Sequence, residues 1–501
     1  WTTDRLEFIG RNGTAEKPEA MRRSKLSGKT GPLHDACGAV QAQLTVEPGG
    51  ERTVIVLLGC ERSRESAIRL ARRFGDPAVC RQALADVCDF WDGVLGQITV
   101  STPSPETNAL LNRWLLYQTL ACRMWARTGF YQAGGAYGFR DQLQDALAML
   151  HSRPDITRAQ IVFHAAHQYE EGDVQHWWHM EMARGIRSRY TDDLLWLPYA
   201  VARYVEHTGD DSLLDETVPF LYSESLRDEE HERYEPTVVA KKSGTVYEHC
   251  VRAIERSLRF GEHGLPLIGG GDWNDGLNRV GDAGRGESVW LGWFLGDVLR
   301  RFAELCERRG DIERASRYRA ARNNLAASLD EHAWDGQWYR RAFTDDGQWL
   351  GSVRSAECRI DAIAQSWSVI SGMADKDKAA QAMRSFDREL VDRDLNVSLL
   401  LAPPFDRTEP SPGYIQGYPP GIRENGGQYT HGAIWSIIAW CQMGEGDKAF
   451  ELFNMINPVT HTRSPGETRR YAGEPYVMAA DVYSAGPRKG HAGWTWYTGS
   501  A

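Results

Sequence analysis

The chain has 501 residues, 42% of them hydrophobic and 25% charged, with a formal net charge of -10 at pH 7. That length predicts one large domain with a smaller companion, and the acidic balance argues against a protein that grips nucleic-acid phosphates. Nine cysteines with no Cys-x-x-Cys pair and no zinc-ligand spacing predict reduced thiols, no metal site and a cytoplasmic setting, or the cytoplasmic face of a membrane if a larger synthase carries the chain.

No apolar run reaches the roughly 18 to 20 residues that span a bilayer. The chain starts at Trp1 rather than Met and shows no signal peptide, so it reads as part of a longer protein. Residues 1–62 carry strand-like runs, Ala39 to Val46 and Arg52 to Leu58, around the turn Glu47-Pro48-Gly49-Gly50. They read as the end of an N-terminal β-sandwich. Residues 63–95 switch to helical spacing, as in Ser66-Ala-Ile-Arg-Leu-Ala-Arg-Arg-Phe74, and read as a helical linker. From 96 to 501, helical patterns recur between long loops rich in Gly, Trp, Asp and Pro, for example Leu194 to Thr208, Ser288 to Arg308 and Ile434 to Met443. No strand series stands out there. Paired helices with chemistry-bearing loops predict a mainly α toroid whose loops build a cavity at one mouth. Trp334 to Tyr339 reads as a short hairpin or turn.

Four stretches carry residue types suited to a sugar site. In Tyr131 to Asp145, glycines at 134, 135 and 138 precede Arg140 and Asp141, which either touch a ligand or, for Asp141, cap a helix. In Glu171 to Asp193, read as loop, the indoles Trp177 and Trp178 and the pair Asp192-Asp193 suit sugar contacts; Asp192 is equally eligible as a cap. His176 and His179 there lack a third ligand at metal spacing. The third stretch, Gly269-Gly-Gly-Asp272-Trp273-Asn274-Asp275-Gly276, delivers two carboxylates beside an indole, or else forms a turn with an Asp cap. The fourth, Arg423 to Gly432, holds Glu424 and sets His431 at the start of an apolar helix, where an anion is favoured. Near the end, Trp494 to Ser500 offers a hydroxyl and an amide flanked by glycine, suited to an oxyanion. No Walker loop, nucleophile elbow or dinucleotide glycine motif occurs.

Together these stretches resemble glycoside hydrolase family 94, the inverting β-glucoside phosphorylases, and within it the phosphorylase-like C-terminal region of cyclic β-1,2-glucan synthases. The residues that carry the resemblance are Thr3-Asp-Arg5 with Phe8-Ile-Gly-Arg11, Gly138-Phe-Arg-Asp-Gln-Leu-Gln-Asp145, Glu171 to Trp178, Asp192-Asp-Leu-Leu-Trp-Leu-Pro-Tyr199, Gly271 to Gly276, Gly286-Glu-Ser-Val-Trp290, Glu424 to His431 and Trp494 to Gly499. The resemblance implies a β-sandwich, a helical linker and an (α/α)6 barrel, here truncated at its C-terminal end, acting without a cofactor on a β-glucan oligosaccharide and inorganic phosphate. By the same resemblance Asp275 is the general acid. Arg140, Asp141, Asp192, Trp273 and Glu424 line the sugar site, and His431, Thr498 and Gly499 surround phosphate. The sequence departs from the cellobiose-type members at Gln132-Ala-Gly-Gly-Ala-Tyr137, where they carry a phosphate-site arginine. An inverting hydrolase or transglycosylating domain and a non-catalytic, chain-length-measuring glucan-binding domain are the alternatives. A homodimer is compatible with the reading.

Overall fold

The computed structural model describes residues 1–31, 35–125 and 135–494. The chain divides into two compact units, one ending at Phe90 and the other starting at Trp91.

In the first unit, strands Thr2–Asp4 and Ala36–Ala39 pair antiparallel, with Thr2 opposite Ala39. Asp4 caps the short helix Arg5–Ile9 by accepting from the Leu6 amide at 2.9 Å. Ala20, Leu26 and Ala39 form a small core against Phe8 and Cys37. The runs Ala39–Val46 and Arg52–Leu58 differ from expectation. Beyond Ala39 they form no strand, and Val40, Leu44, Val46, Val54, Val56 and Leu58 are exposed. Strand character in a sequence becomes a strand only where a partner ladder exists, and among the described residues none lies beside these runs. The expected helical segment is present as Arg64–Arg73 and Pro77–Leu95.

The second unit is built from helix pairs: Phe139–Met149 with Pro154–Ala165, Trp196–Thr208 with Val246–Ser257, Val289–Arg308 with Ile312–Ser328, Ala362–Ile370 with Lys376–Leu390, and Thr430–Gln442 with Gly446–Ile456. The first helix of each pair packs on the first helix of the next. One large core joins them, holding Trp196, Trp290, Trp293, Trp367, Trp435 and Trp440. Many of the chain's indoles therefore fill the interior. Trp290, Phe294, Trp367 and Trp435 meet ring against ring at centroid distances of 5.2 to 6.1 Å.

How these helices begin places the site. Four of the five first helices are entered directly from a two-residue strand: Tyr137–Gly138, Glu287–Ser288, Ile360–Asp361 and Gln428–Tyr429. Ser288 accepts from the Leu291 amide at 3.0 Å, and Asp361 accepts from those of Ile363 and Ala364, so local caps fix where the helices start. The tract Glu171 to Asp193 is not loop as expected. It carries strands Gln175–His179 and Arg184–Ser188, which join Tyr137–Gly138 and Glu232–Pro236 in a four-stranded antiparallel sheet. Its period is hidden in the sequence because a bulge interrupts the register between Gln175 and Trp177, and because four consecutive residues of Arg184–Ser188 are buried, which erases the in-out alternation. Trp334 and Tyr339 form the isolated bridge of a tight turn.

Candidate active site

The glycine-rich stretch is held against the segment that leaves strand Arg184–Ser188. Tyr190 bridges Gly269, and the Thr191 amide donates to the Gly271 carbonyl at 3.1 Å. Asp272 turns inward and is fully buried. Its carboxylate takes both Arg341 terminal nitrogens at 2.6 and 2.7 Å, the Ser288 hydroxyl at 2.7 Å and the Asn274 amide at 3.1 Å. Burial opposes its charge, but Arg341 and these donors outweigh burial and hold the carboxyl below its usual range. Asn274 in turn accepts from the Gly276 amide at 3.1 Å. The turn's capping duties thus fall to Asp272 and Asn274. Asp275 is left to project into a cavity of about 440 Å³, its side chain 29% exposed.

Arg140, in the first turn of its helix, organises the charges around Asp275. One terminal nitrogen contacts the Asp192 carboxylate at 3.0 and 3.2 Å and the Asp272 carbonyl at 2.9 Å, and the other binds Asp275. Asp192 does not cap the turn that follows it; its carboxylate accepts from the Trp196 indole at 3.0 Å. Burial pushes the Asp192 carboxyl up, Arg140 pulls it back and Asp193 beside it adds to the rise. Asp193 accepts from His176 Nδ1 at 2.7 Å, and His176 Nε2 lies 3.9 Å from Asp275. Burial works against an imidazolium here, yet Asp193 and Asp275 outweigh it and raise His176 to about 9. The protonated ring stacks on Tyr190 at 4.3 Å.

The facing wall comes from the last helix pair and the loop before it. The Trp273 indole donates to His431 Nδ1 at 3.3 Å, which leaves the proton of a neutral imidazole on Nε2. Burial lowers His431 to about 3, so it is neutral at working pH. Glu424 pairs with Arg423 at 3.2 Å, and burial raises its carboxyl against that pull. Arg423 adopts a left-handed backbone, φ 54°, fixed by its amide donating to Asp481 at 2.8 Å, and its guanidinium covers the Trp494 ring at 3.7 Å. Gly138, Arg140 and Asp141 line one side of the cavity, Tyr429 and His431 the other, so two helix N-termini open onto it. Their free amides add positive potential where an anion would sit.

The structure brings Asp275, Arg140, Asp141, Trp273, Glu424 and His431 to one cavity, with Asp192 behind Arg140. Thr498, Gly499 and residues 132–134 of the departure segment Gln132 to Tyr137 lie outside the described residues. Asp141 sits in the first helical turn, after the N-cap Gly138. Trp178 is buried against His167 at 4.0 Å, while Trp177 lines the cavity. Sequence reasoning missed Arg123, Tyr190, Tyr414 and Arg423 on the cavity wall, and gave His176 no role beyond a rejected metal site. Arg123, 17 positions before Arg140, has no motif around it; burial beside Asp145, whose carboxylate its Nε reaches at 2.9 and 3.1 Å, brings it here. Among the described residues no cluster of His, Cys, Asp and Glu could hold a metal, and no helix is long and apolar enough to cross a membrane.

The site is thus an acid-bearing, aromatic-lined cavity in which the guanidiniums of Arg123, Arg140 and Arg423 stand among the carboxyls of Asp141, Glu232, Asp275 and Glu424, a composition suited to a carbohydrate. The family described as "Glycosyl hydrolase 94 superfamily, catalytic domain" matches residues 90–501, and "Glycosyl hydrolase 94, supersandwich domain" matches residues 1–77. The chain belongs to the glycosyl hydrolase 94 superfamily. It is 46% identical over 503 residues to the cyclic beta-(1,2)-glucan synthase NdvB of Rhizobium meliloti (strain 1021), covering all of this chain and 18% of that protein. It is 32% identical over 509 residues to solabiose phosphorylase of Paenibacillus borealis, covering all of this chain and 61% of that protein. This chain therefore spans less than two thirds of the length of either relative. A solved structure of a glycosidase in complex with glucose shares the fold at 12% identity and a TM-score of 0.52, covering 80% of this chain and 97% of that one.

Proposed function

We propose that this cavity carries out inverting, reversible phosphorolysis of a β-glucoside or β-glucan, with β-1,2 linkages favoured, releasing α-glucose 1-phosphate. Asp275 protonates the departing glycosidic oxygen. Trp273 offers an apolar face to the sugar; Arg140, Asp141 and Glu424 bind hydroxyls, and Asp192 holds Arg140 in place. Phosphate attacks the anomeric carbon from the opposite side, oriented by the His431 Nε2 proton and the region of Thr498 and Gly499. The C–O bond to the leaving group breaks as the C–O bond to phosphate forms, and the proton from Asp275 goes to the leaving hydroxyl. Phosphate enters as co-substrate, and no resident cofactor takes part in this scheme.

One observation carries the choice of phosphate over water. An inverting hydrolase needs a second, ionised carboxylate to activate water. Here Glu424 is pushed toward its neutral form by burial against the pull of Arg423, and two helix N-termini open onto the wall, where Arg123, Arg140 and Arg423 stand among the carboxyls of Asp141, Glu232 and Asp275. That environment suits an anionic nucleophile, which needs no base. The β-1,2 preference is supported by the 46% identity to a protein named as a cyclic beta-(1,2)-glucan synthase. The same likeness favours a second reading, a glucan-binding region that controls chain length within a larger synthase.

The test is the synthetic direction: glucose 1-phosphate with sophorose, cellobiose or laminaribiose, reading phosphate released. Release confined to sophorose meets the proposal. Release with another acceptor overturns the linkage, phosphate-independent release of reducing sugar from β-glucan favours hydrolysis, and oligosaccharide binding without turnover favours the second reading.

A further inference from the structure

The segment that carries Tyr190 has a second side. Residues Ser188 to Thr191 separate the catalytic cavity from another cavity, of about 450 Å³, lined by Arg189, Arg256, Arg259, Ser225, Asp173 and Asp228 among others. Three arginines line this space, and carboxylates satisfy them poorly. Arg256 has a side chain only 33% exposed, and its ion pair, to Asp173, spans 3.8 Å. Asp173 is already committed, since Arg187 holds both its oxygens at 2.7 and 2.9 Å. Arg189 spends its N–H groups on two carbonyls, those of Glu230 at 2.8 Å and Arg227 at 2.6 Å, which offset no charge. Among the described residues the Arg259 guanidinium has no hydrogen-bond or ion-pair partner. Asp228, exposed, is the remaining opposing charge.

Burial pulls Arg256 below its ordinary range, and Asp173 only partly offsets this. A half-buried cation in that condition is stabilised by any anion that enters. A guanidinium fork matches the spacing of phosphate oxygens, and the leucines Leu226 and Leu267 together with the Ser225 hydroxyl give the rest of the wall a mixed character that suits a sugar ring. The volume lies within the range of small-molecule sites.

We propose that this second cavity binds a phosphate dianion, free or carried on a hexose, through Arg256 and Arg259. The site is separate from catalytic phosphate. It communicates with the catalytic cavity through one extended segment, since Tyr190 touches both spaces and stacks on His176.

Calorimetric titration of the protein at low ionic strength, with glucose 6-phosphate and separately with inorganic phosphate, tests this. Glucose 6-phosphate is expected to bind at one site. Arg259→Gln, at an exposed and unpartnered position, weakens that binding at least threefold with the melting temperature unchanged, and Arg256→Gln with Arg259→Gln weakens it at least tenfold. Arg140→Lys, in the catalytic cavity, leaves it within twofold. Tighter binding of inorganic phosphate at the same arginines identifies the free ion as occupant; tighter binding of the ester identifies the sugar phosphate. No binding by the unaltered protein, binding indifferent to Arg256 and Arg259, or binding lost in Arg140→Lys instead overturns the proposal. Failure of the phosphorolysis reading leaves these outcomes untouched, because glucose 6-phosphate binding does not depend on turnover.

Discussion

Asp272 and Asp275 lie three residues apart in one glycine-rich turn and meet opposite environments. Asp272 is fully buried and clamped by Arg341 and Ser288, so it holds the loop. Asp275 opens onto the cavity beside Arg140 and His176. If Asp275 is the acid, Asp275→Asn keeps the fold and lowers kcat for phosphorolysis by about 10³-fold, since positioned proton transfer contributes roughly 10² to 10⁴. Steady-state release of glucose 1-phosphate with a circular dichroism control measures this, and near-normal turnover would sink the assignment. His176 gives a pH signature. Its folded value, about 9, lies above the ordinary value of 6.5. The stability this adds is fully present below pH 6.5 and is lost as pH rises through about 9, an effect of up to about 3 kcal/mol. Urea denaturation between pH 6 and 10 is expected to show this decline in the unaltered protein and a flatter profile in His176→Gln; identical slopes would remove His176 from the charge network.

The glycine-rich stretch acts as an element only because its backbone can pass against Tyr190. Gly271 has φ 135°, and a Cβ there would lie 2.6 Å from Tyr190 Cε1. Gly271→Ala therefore both strains the backbone, at about 1 to 3 kcal/mol, and displaces a ring that supports His176. Its kcat is expected to fall 10- to 100-fold with helical content retained. Gly417→Ala is the control, because a Cβ there meets nothing within 4 Å, and equal effects from the two would refute the Tyr190 contact as the cause. This stretch was legible in the sequence, and so were the starts of the helices that hold Arg140 and His431. Runs of small residues beside carboxylates and indoles stand out against helical spacing. The sheet between Gln175 and Ser188 was not legible, because strand recognition needs a period of two and both strands lose it, one to a bulge and the other to burial on both faces. Arg123 and Tyr414 escaped for another reason: they reach the cavity through tertiary packing, which leaves no local pattern.

At the scale of the molecule, the succession of helix pairs follows from helical spacing and loop length, whereas the link between its beginning and its end does not. Strand-like composition in residues 40–60 likewise could not show whether a partner lies alongside. The long-range link in the second unit includes Gln118 with Met478, 360 positions apart, and Trp114 stacked on Tyr476 at 4.5 Å. The Gln118 side-chain amide donates to the Met478 carbonyl at 3.0 Å and accepts from the Met478 amide at 3.0 Å. It imitates a backbone strand, and it is buried. Thr107 with Asn454 and Glu106 with Arg463 add contacts between the same early and late regions, but these are longer or exposed, and exposed ion pairs contribute little. Replacing Gln118 by Leu keeps the volume approximately and leaves a buried N–H and a buried carbonyl without partners, at about 1 to 3 kcal/mol each. Gln118→Leu is therefore expected to lower unfolding stability by about 2 to 6 kcal/mol, whereas Glu106→Gln, at an exposed ion pair, leaves it nearly unchanged. Because Met478 lies a few residues before Asp481, which fixes Arg423 beside Glu424, the loss should also raise KM before it lowers kcat. Urea melts paired with steady-state kinetics separate the two, and a Gln118→Leu protein as stable as its parent would show that the early and late regions are held together elsewhere.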